Sequence, residues 1–161
     1  MGRPYMESAK RKDWQTPAVL FDWLALRYGP FDLDPCGAAG SYASEHCTDY
    51  WTEGGLDQPW RGRVFANPPY GPALRLWVPK CRLEAERGNA ELVVALLPAR
   101  TDCGWWHEHV GLAVVSRRMA LAGPAAQVLF LKGRVAFTLP GQPSRPRATF
   151  PSVVVVWGKL G

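Results

Sequence analysis

A continuous apolar run from Leu92 to Leu97, closed by Pro98, is the segment that most constrains the fold. The run is far shorter than the roughly 18–20 apolar residues that a helix needs to span a membrane. Because polar and apolar residues do not alternate in it, the run is typical of a strand that is buried on both faces. Such strands belong to parallel sheets whose connecting helices cover both faces. The run therefore predicts an α/β fold.

Short helix and strand patterns alternate along the rest of the chain. Apolar periodicity predicts helices over residues 16–28, 72–87 and 104–110. Thr16 is expected to be the N-cap of the first helix, with Pro17 in its first turn. Pro79 is expected to kink or divide the second helix. Apolar and β-branched runs predict strands over residues 31–34, 63–66, 113–115, 128–131 and 153–157.

A turn at Lys132-Gly133 completes the predicted topology. It is expected to join the strand over 128–131 to a further strand over 135–138 as a β-hairpin. Because helices alternate with strands early and this hairpin comes late, we expect a mostly parallel sheet with an antiparallel carboxyl-terminal hairpin. The 161 residues suit a single domain over 13–161, preceded by a flexible basic tail over 1–12.

Basic residues are concentrated in the carboxyl-terminal third of the chain. The net charge is +5, and from His109 to Gly161 there are seven Lys and Arg residues and no Asp or Glu. One-sided charge of this kind favours a polyanion as partner, above all nucleic acid. Because the chain shows neither a secretory signal nor a membrane-spanning run, we expect no membrane contact and a cytoplasmic location.

The four cysteines do not predict a metal site. None belongs to a C-x-x-C pair, and the group Cys103, His107 and His109 lacks the spacing of standard zinc ligands. We therefore expect no metal ion and free thiols. The sequence does not define the oligomeric state, for which we favour a monomer.

The segment Asn67-Pro68-Pro69-Tyr70 directly follows a predicted strand and carries the chemistry. Two adjacent prolines withhold two N–H donors, so the segment offers carbonyl oxygens, an amide oxygen and an aromatic ring. Ligands of open α/β sheets bind at the carboxyl ends of strands, where this segment lies. Such a site suits a planar substrate with an NH2 group. The Asn67 side-chain oxygen and the Pro68 carbonyl each accept one N–H, more strongly as positive charge develops on nitrogen, while Tyr70 stacks on the ring.

This tetrapeptide resembles the catalytic motif of amino-methyltransferases that use S-adenosylmethionine, and further motifs extend the similarity over residues 13–158. They include Trp14-Gln15-Thr16-Pro17, Gly29-Pro30-Phe31-Asp32-Leu33-Asp34-Pro35, Gly55-Leu56, Leu97-Pro98-Ala99-Arg100-Thr101-Asp102 and Gly133-Arg134-Val135-Ala136-Phe137. In this order they resemble the small phage-type DNA N6-adenine methyltransferases, the Dam-like family of phages and prophages. The resemblance implies a Rossmann-like methyltransferase fold with S-adenosylmethionine as cofactor. It also implies methylation of the exocyclic N6 amino group of adenine in the DNA of a bacterial host, with flipping of the base.

The resemblance further implies which residues hold the cofactor. Asp34-Pro35-Cys36-Gly37 is similar to the family's cofactor loop, in which Asp34 would pair with the ammonium group, although this loop is shorter than the family's D-P-F-x-G-x-G pattern. Gln15-Thr16-Pro17 is similar to the segment that closes over the cofactor from the amino-terminal side. The acid that binds the ribose or adenine is not defined, because Gly54 stands where the family usually has Asp. We select Asp57 for that role.

DNA contacts are implied for residues near the mouth of the site. Arg100 is expected to contact phosphate, and Trp106 to hold the extruded base or form a wall of the pocket. Arg134, Arg145 and Arg147 are expected to bind the DNA backbone.

Two alternatives remain open. Methyltransferases that act on RNA or on a protein glutamine also carry Asn-Pro-Pro-Tyr, since both acceptors present a planar NH2 group. The shortened cofactor loop and Gly54 are also compatible with a catalytically inactive DNA-binding module on the same fold. The acceptor that becomes labelled separates the first alternative from DNA methylation, and binding of S-adenosylmethionine separates the second.

Overall fold

The structure, a computed structural model, describes residues 14–111, 113–116, 119–121, 124–138 and 147–161, with the backbone alone for 113–116 and 119–121. The predicted tail over 1–12 lies outside the described residues. The helices are α1 (Ala18–Tyr28), α2 (Tyr42–Glu45), α3 (Leu74–Glu86) and α4 (Gly104–His109). The strands are β1 (Leu33–Asp34), β2 (Asp49–Tyr50), β3 (Gly62–Ala66), β4 (Ala90–Pro98), β5 (Ala113–Ser116), β6 (Met119–Leu121), β7 (Gln127–Phe130) and β8 (Ser152–Gly158).

A six-stranded sheet in the order β2-β1-β3-β4-β8-β7 forms the centre of the molecule. The strands β2, β1, β3 and β4 run parallel to one another. β8 runs antiparallel to β4, and β7 runs antiparallel to β8. The mostly parallel sheet with an antiparallel carboxyl-terminal part is therefore confirmed. β5 and β6 pair separately as a two-stranded antiparallel sheet.

The apolar run Leu92–Leu97 lies in the middle of the sheet and is buried on both faces, as predicted. On one face Val93, Ala95 and Leu97 belong to a core cluster with residues of α3 and α4. On the other face the intervening residues of β4 belong to a second cluster with residues of α1. The alternation follows from the pleat of a strand, in which successive side chains point to opposite faces.

The predicted hairpin between 128–131 and 135–138 is wrong in its partner strand. β7 pairs with β8, so that Leu129 lies opposite Val154. Ala136 instead forms an isolated bridge with Arg147, and Thr138 forms one with Gln15. The run Val153 to Val156 is buried on both faces of the sheet. Such a strand is paired on both of its edges, and β7 supplies the second partner in place of the local hairpin.

The start of α1 also differs from the prediction. Pro17 occupies the N-cap position with extended backbone, and no side chain caps the helix. Thr16 lies one residue earlier, in a segment whose neighbour Gln15 pairs with Thr138. The Thr16 hydroxyl therefore does not reach the first turn of the helix, and it is buried without a hydrogen-bond partner among the described residues.

The second predicted helix is not divided by Pro79. α3 begins at Leu74, two residues later than expected, and runs through Pro79 to Glu86. Trp77, Val78 and Cys81 are buried on one side of it. This burial against the sheet stabilises the helix on both sides of the proline, which offsets the lost hydrogen bond. No helix among the described residues is both long enough and apolar enough to cross a membrane.

Candidate functional site

The cavity at the carboxyl edge of the parallel strands brings Asp34 and Asn67 together. Asp34 is the last residue of β1, and Asn67 directly follows β3, which pairs in parallel with β1. Because the carboxyl ends of parallel strands meet at one edge of a sheet, ligands of such folds bind there. Both residues line a cavity of about 230 Å³ at this edge.

The Asp34 carboxylate is buried, with 4% of the residue exposed. Ser44 Oγ donates a hydrogen bond of 2.8 Å to Oδ2, and the Cys36 backbone N–H donates one of 3.2 Å to Oδ1. Burial raises the pKa of Asp34 to about 6, although these hydrogen bonds act in the opposite direction. A buried carboxylate of this kind favours a cation as its ligand.

The loop after Asp34 is held tightly against the end of β2. The Gly37 N–H donates to the Trp51 carbonyl, and the Trp51 N–H donates to the backbone carbonyl of Asp34, both at 2.9 Å. A Cβ atom on Gly37 would lie 2.8 Å from Ser44 Oγ and 2.9 Å from Tyr50 Cβ. The close approach of these groups explains why glycine occupies this position.

Cys36 and Pro35 complete the loop. Cys36 lines the cavity, and burial and the nearby Asp34 carboxylate raise the pKa of its thiol, which therefore stays neutral. Pro35 is in contact with Gly55, because a Cβ atom there would overlap the Pro35 carbonyl oxygen. Gly55 therefore packs directly against the loop that follows Asp34.

The Asn67 side chain is oriented by the segment before α1. Its Nδ2 donates a hydrogen bond of 2.8 Å to the Trp14 carbonyl. No described residue donates a hydrogen bond to Asn67 Oδ1, so the amide oxygen stays available as an acceptor. Pro68 and Pro69 line the cavity beside it and carry no N–H that would compete.

Tyr70 presents its ring rather than its hydroxyl group. The hydroxyl donates a hydrogen bond of 3.2 Å to the Leu96 carbonyl, and burial raises the pKa of the phenol well above its usual range. The ring packs edge-on against Trp14, Phe137 and Phe150, with centroids 5.3–6.4 Å away. The site therefore has an aromatic wall next to the Asn67 amide.

Two buried hydrogen-bond donors of the segment 14–16 have no partner among the described residues. They are Trp14 Nε1 and Thr16 Oγ1, and both residues line the cavity. The segment is fixed by two backbone hydrogen bonds between Gln15 and Thr138, of 2.9 and 3.0 Å. An unsatisfied buried donor costs about 1–3 kcal/mol, so these two donors are the polar groups of the segment that would gain most from a hydrogen-bond acceptor.

The cavity unites most of the residues predicted to bind the cofactor and to carry catalysis: Gln15, Thr16, Asp34, Cys36, Asn67, Pro68, Pro69 and Tyr70. Pro17 lies beside it, in a neighbouring groove that Arg134 also lines. Asp57 is exposed in the turn that its N–H closes with the Gly54 carbonyl, and it does not line the cavity.

The other residues predicted to contact DNA are dispersed. Arg100 follows β4 at the same edge of the sheet as the cavity but does not line it. Trp106 is 5% exposed and packs in the core against Trp105 and Phe130, away from the cavity. Arg147 is exposed, and Arg145 lies outside the described residues.

Sequence reasoning did not identify Ser44 or the function of Trp14. Ser44 lies on α2, a single helical turn without apolar periodicity, so no sequence signal connects it with Asp34. Trp14 belongs to one of the motifs that carry the resemblance. The hydrogen bond between its carbonyl and Asn67 joins residues that are distant in sequence, so no local pattern predicts it. Among the described residues no group of three or more His, Cys, Asp or Glu side chains is placed to hold a metal ion.

Comparison with known proteins agrees with this geometry. Residues 5–160 match the model of the DNA N-6-adenine-methyltransferase (Dam) family. A DNA N-6-adenine-methyltransferase of Escherichia phage T1 is 33% identical over 104 residues, which are 62% of this chain and 41% of that protein. The chain thus matches about two fifths of the length of this relative.

A solved structure shows the same fold. The crystal structure of a proposed RNA methyltransferase from Pyrococcus horikoshii matches with a TM-score of 0.56 and 14% identity, over 99% of this chain and 91% of that one. At this identity the likeness concerns the fold alone, which is that of a Rossmann-like methyltransferase.

Proposed function

Because this chain belongs to the DNA N-6-adenine-methyltransferase (Dam) family, we propose that it transfers a methyl group from S-adenosylmethionine to the N6 amino group of adenine in DNA. The observation that carries this proposal is the pairing of two groups in one cavity. Asp34 is a buried carboxylate suited to a cationic cofactor, and Asn67 is an amide whose oxygen is free to accept.

The residues of the cavity fit S-adenosylmethionine. Asp34 suits the ammonium group of its methionine part. The two donors without a partner, Trp14 Nε1 and Thr16 Oγ1, suit the carboxylate of the same part. The volume of about 230 Å³ is below the roughly 300–1,000 Å³ of sites that enclose a whole ligand, so the cavity suits only part of the cofactor. When bound, the cofactor supplies an electrophilic methyl group.

The loops on either side complete the proposed cofactor site. Gln15 and Cys36 line the cavity, and Pro17, Pro35 and Gly37 shape the backbone next to it. No acid for the ribose or adenine is assigned from the geometry, because Asp57 lies outside the cavity.

Asn67 and Pro68 act on the acceptor nitrogen. The lone pair of an arylamine is delocalised into the ring, so the nitrogen is a poor nucleophile. The Asn67 amide oxygen and the Pro68 carbonyl accept its two N–H groups, and both hydrogen bonds strengthen as positive charge develops on nitrogen. The Asn67–Trp14 hydrogen bond fixes which amide atom faces the acceptor. No base is needed before the attack, and the surplus proton leaves the nitrogen afterwards.

DNA is the acceptor that the charge distribution favours. The target base has to leave the stack to reach a cavity of this size, at a cost of a few kcal/mol. Arg100, Arg134, Arg145 and Arg147 would hold the backbone of the distorted duplex. The relative from phage T1 supports a phage or prophage origin.

The acceptor class is tested by incubating the chain with S-adenosylmethionine labelled in its methyl group and with DNA, RNA or protein extract in separate reactions. Label in DNA alone is the expected result. Label in RNA or protein but not in DNA contradicts the proposal. The variant Asn67→Ala tests the role of the amide in the same reactions. Its matched control is Asn89→Ala, which makes the same change directly before β4, at the opposite edge of the sheet.

A further inference from the structure

A second and larger groove adjoins the catalytic cavity. It has a volume of about 740 Å³ and shares Gln15 and Thr16 with the cavity. One wall is the amino-terminal part of α1, including Val19 and Trp23, and the opposite wall is the segment 131–138. We call this feature the α1 groove. Its volume lies in the range of about 300–1,000 Å³ that is usual for ligand sites.

The α1 side of the groove presents apolar and aromatic surface to solvent. Trp23 is 43% exposed and Val19 is 81% exposed. Tyr42 also lines the groove and is 36% exposed, while its ring stacks on His46 and its hydroxyl donates a hydrogen bond of 2.9 Å to Asp22. Exposed aromatic rings of this kind are suited to stacking on a planar ligand.

The opposite side of the groove carries positive charge. Lys132 and Arg134 are both exposed there, and no Asp or Glu is among the described residues that line the groove. Two carboxylates are hydrogen-bonded to residues of the groove: Asp22 accepts from the Tyr42 hydroxyl, and Glu45 accepts from the Gly40 N–H. S-adenosylmethionine has a net positive charge from its sulfonium and ammonium groups, so these cations disfavour it. A phosphate-bearing ligand matches them.

We propose that the α1 groove binds a nucleotide of the DNA strand next to the target adenine, with its base against Trp23 and its phosphate near Lys132 and Arg134. This inference rests on the proposed function. Continuity with the catalytic cavity through Gln15 and Thr16 supports it, since a flipped adenine and its neighbour are joined by one phosphodiester. Stacking and phosphate contacts together are how proteins hold unpaired strands.

The test compares DNA affinity with cofactor affinity in the full chain. DNA binding is measured by fluorescence anisotropy on a labelled mixed-sequence duplex, and binding of S-adenosylmethionine by calorimetry. Trp23→Ala should raise the Kd for DNA by about 5- to 100-fold. Trp23→Phe should keep most of the affinity, and neither variant should change cofactor binding by more than about twofold.

Two exposed residues outside the groove provide matched controls. Leu26, on the same helix, is 89% exposed, and Leu26→Ala should change DNA affinity by no more than about twofold. Arg134→Ala should lower the salt dependence of binding, with a slope reduced by about 1. Lys159→Ala should leave this slope unchanged, because Lys159 follows β8 at the opposite edge of the sheet.

Three outcomes would overturn the inference. DNA affinity of Trp23→Ala equal to wild type excludes the groove from DNA binding. Loss of cofactor affinity in the same variant assigns the groove to the cofactor instead. A wild-type dimer that Trp23→Ala dissociates assigns the groove to a second copy of the chain. Failure of the proposed function has a different signature: the wild-type chain leaves DNA unmethylated, whatever Trp23→Ala does to binding.

Discussion

The Asn67 side chain donates a hydrogen bond of 2.8 Å to the backbone carbonyl of Trp14, 53 residues earlier in the chain. Through this bond the proposed catalytic segment after β3 is attached to the segment that precedes α1. The same segment carries Trp14 Nε1 and Thr16 Oγ1, the two buried donors without a described partner in the cavity. The orientation of the Asn67 amide and one wall of the cavity therefore depend on the same segment of the chain.

Removal of the Ser44 hydroxyl should weaken the proposed cofactor site. Ser44 Oγ donates to Asp34 and accepts from the Ala38 N–H at 3.0 Å. In Ser44→Ala the Asp34 carboxylate loses a donor and the Ala38 N–H loses its acceptor. We therefore expect the free energy of unfolding to fall by about 1–3 kcal/mol. We also expect weaker binding of S-adenosylmethionine. Urea denaturation and calorimetry measure the two effects.

Ser152→Ala is the control for this variant. Ser152 is equally buried, but its hydroxyl has no hydrogen-bond partner among the described residues. Its removal should cost no hydrogen bond and should leave cofactor affinity unchanged. If Ser44→Ala and Ser152→Ala behave alike in both assays, Ser44 does not organise the site.

Stability of the cofactor-free protein should depend on the titration of Asp34. Burial raises its pKa to about 6, above the value of about 3.9 in an unfolded chain. The stability from the protonated carboxyl is fully present below the unfolded pKa and is lost as the pH rises through about 6. The loss is on the order of 3 kcal/mol. Urea denaturation from about pH 4 to about pH 7 should show this loss in the wild type and not in Asp34→Asn.

Cofactor affinity should follow the opposite trend. The ionised Asp34 binds an ammonium group and the protonated form does not, so affinity should rise as the pH increases through about 6. Asp34→Asn should bind weakly at every pH. A wild-type affinity that is constant across this range would count against the assignment of Asp34 to the ammonium group.

A side chain at position 37 should not be tolerated. The added Cβ of Gly37→Ala lies too close to Ser44 Oγ and Tyr50 Cβ, at 2.8 and 2.9 Å. We expect overpacking that destabilises the protein by about 1–3 kcal/mol and weakens cofactor binding. Gly104→Ala is the control, because its Cβ meets only Glu108 Oε1, at 3.8 Å. Thermal denaturation should therefore separate the two variants, and equal melting temperatures would contradict the packing argument.

The centre of the sheet and the core of the site follow from local sequence. Burial of Leu92–Leu97 on both faces was predicted from the absence of polar alternation. Asp34 and Asn67 meet because they stand at the carboxyl ends of two parallel strands, which lie at one edge of the sheet. The first feature has its whole physical cause in one short segment, and the second needs only the parallel pairing of two short strands.

Features that depend on distant partners were not predictable in this way. The partner of β7 is decided by β8, which lies beyond residue 150, while the turn at Lys132-Gly133 indicates only a local hairpin. Thr16 is a residue type that often caps helices, but Pro17 occupies the N-cap position of α1. Thr16 lies one residue before it, next to Gln15, which pairs with Thr138. Long-range backbone pairing overrides local propensity in both cases.

The most direct measurement is nucleoside mass spectrometry of unmethylated DNA after incubation with S-adenosylmethionine and the wild-type chain, Asn67→Ala or Asn89→Ala. The account predicts N6-methyladenine with the wild type and with Asn89→Ala. With Asn67→Ala it predicts a loss of at least about 100-fold in rate, while cofactor affinity is retained. N6-methyladenine formed by Asn67→Ala at the wild-type rate would contradict the proposed role of the amide. No methylated base from a folded wild-type chain that binds the cofactor would contradict the proposed reaction.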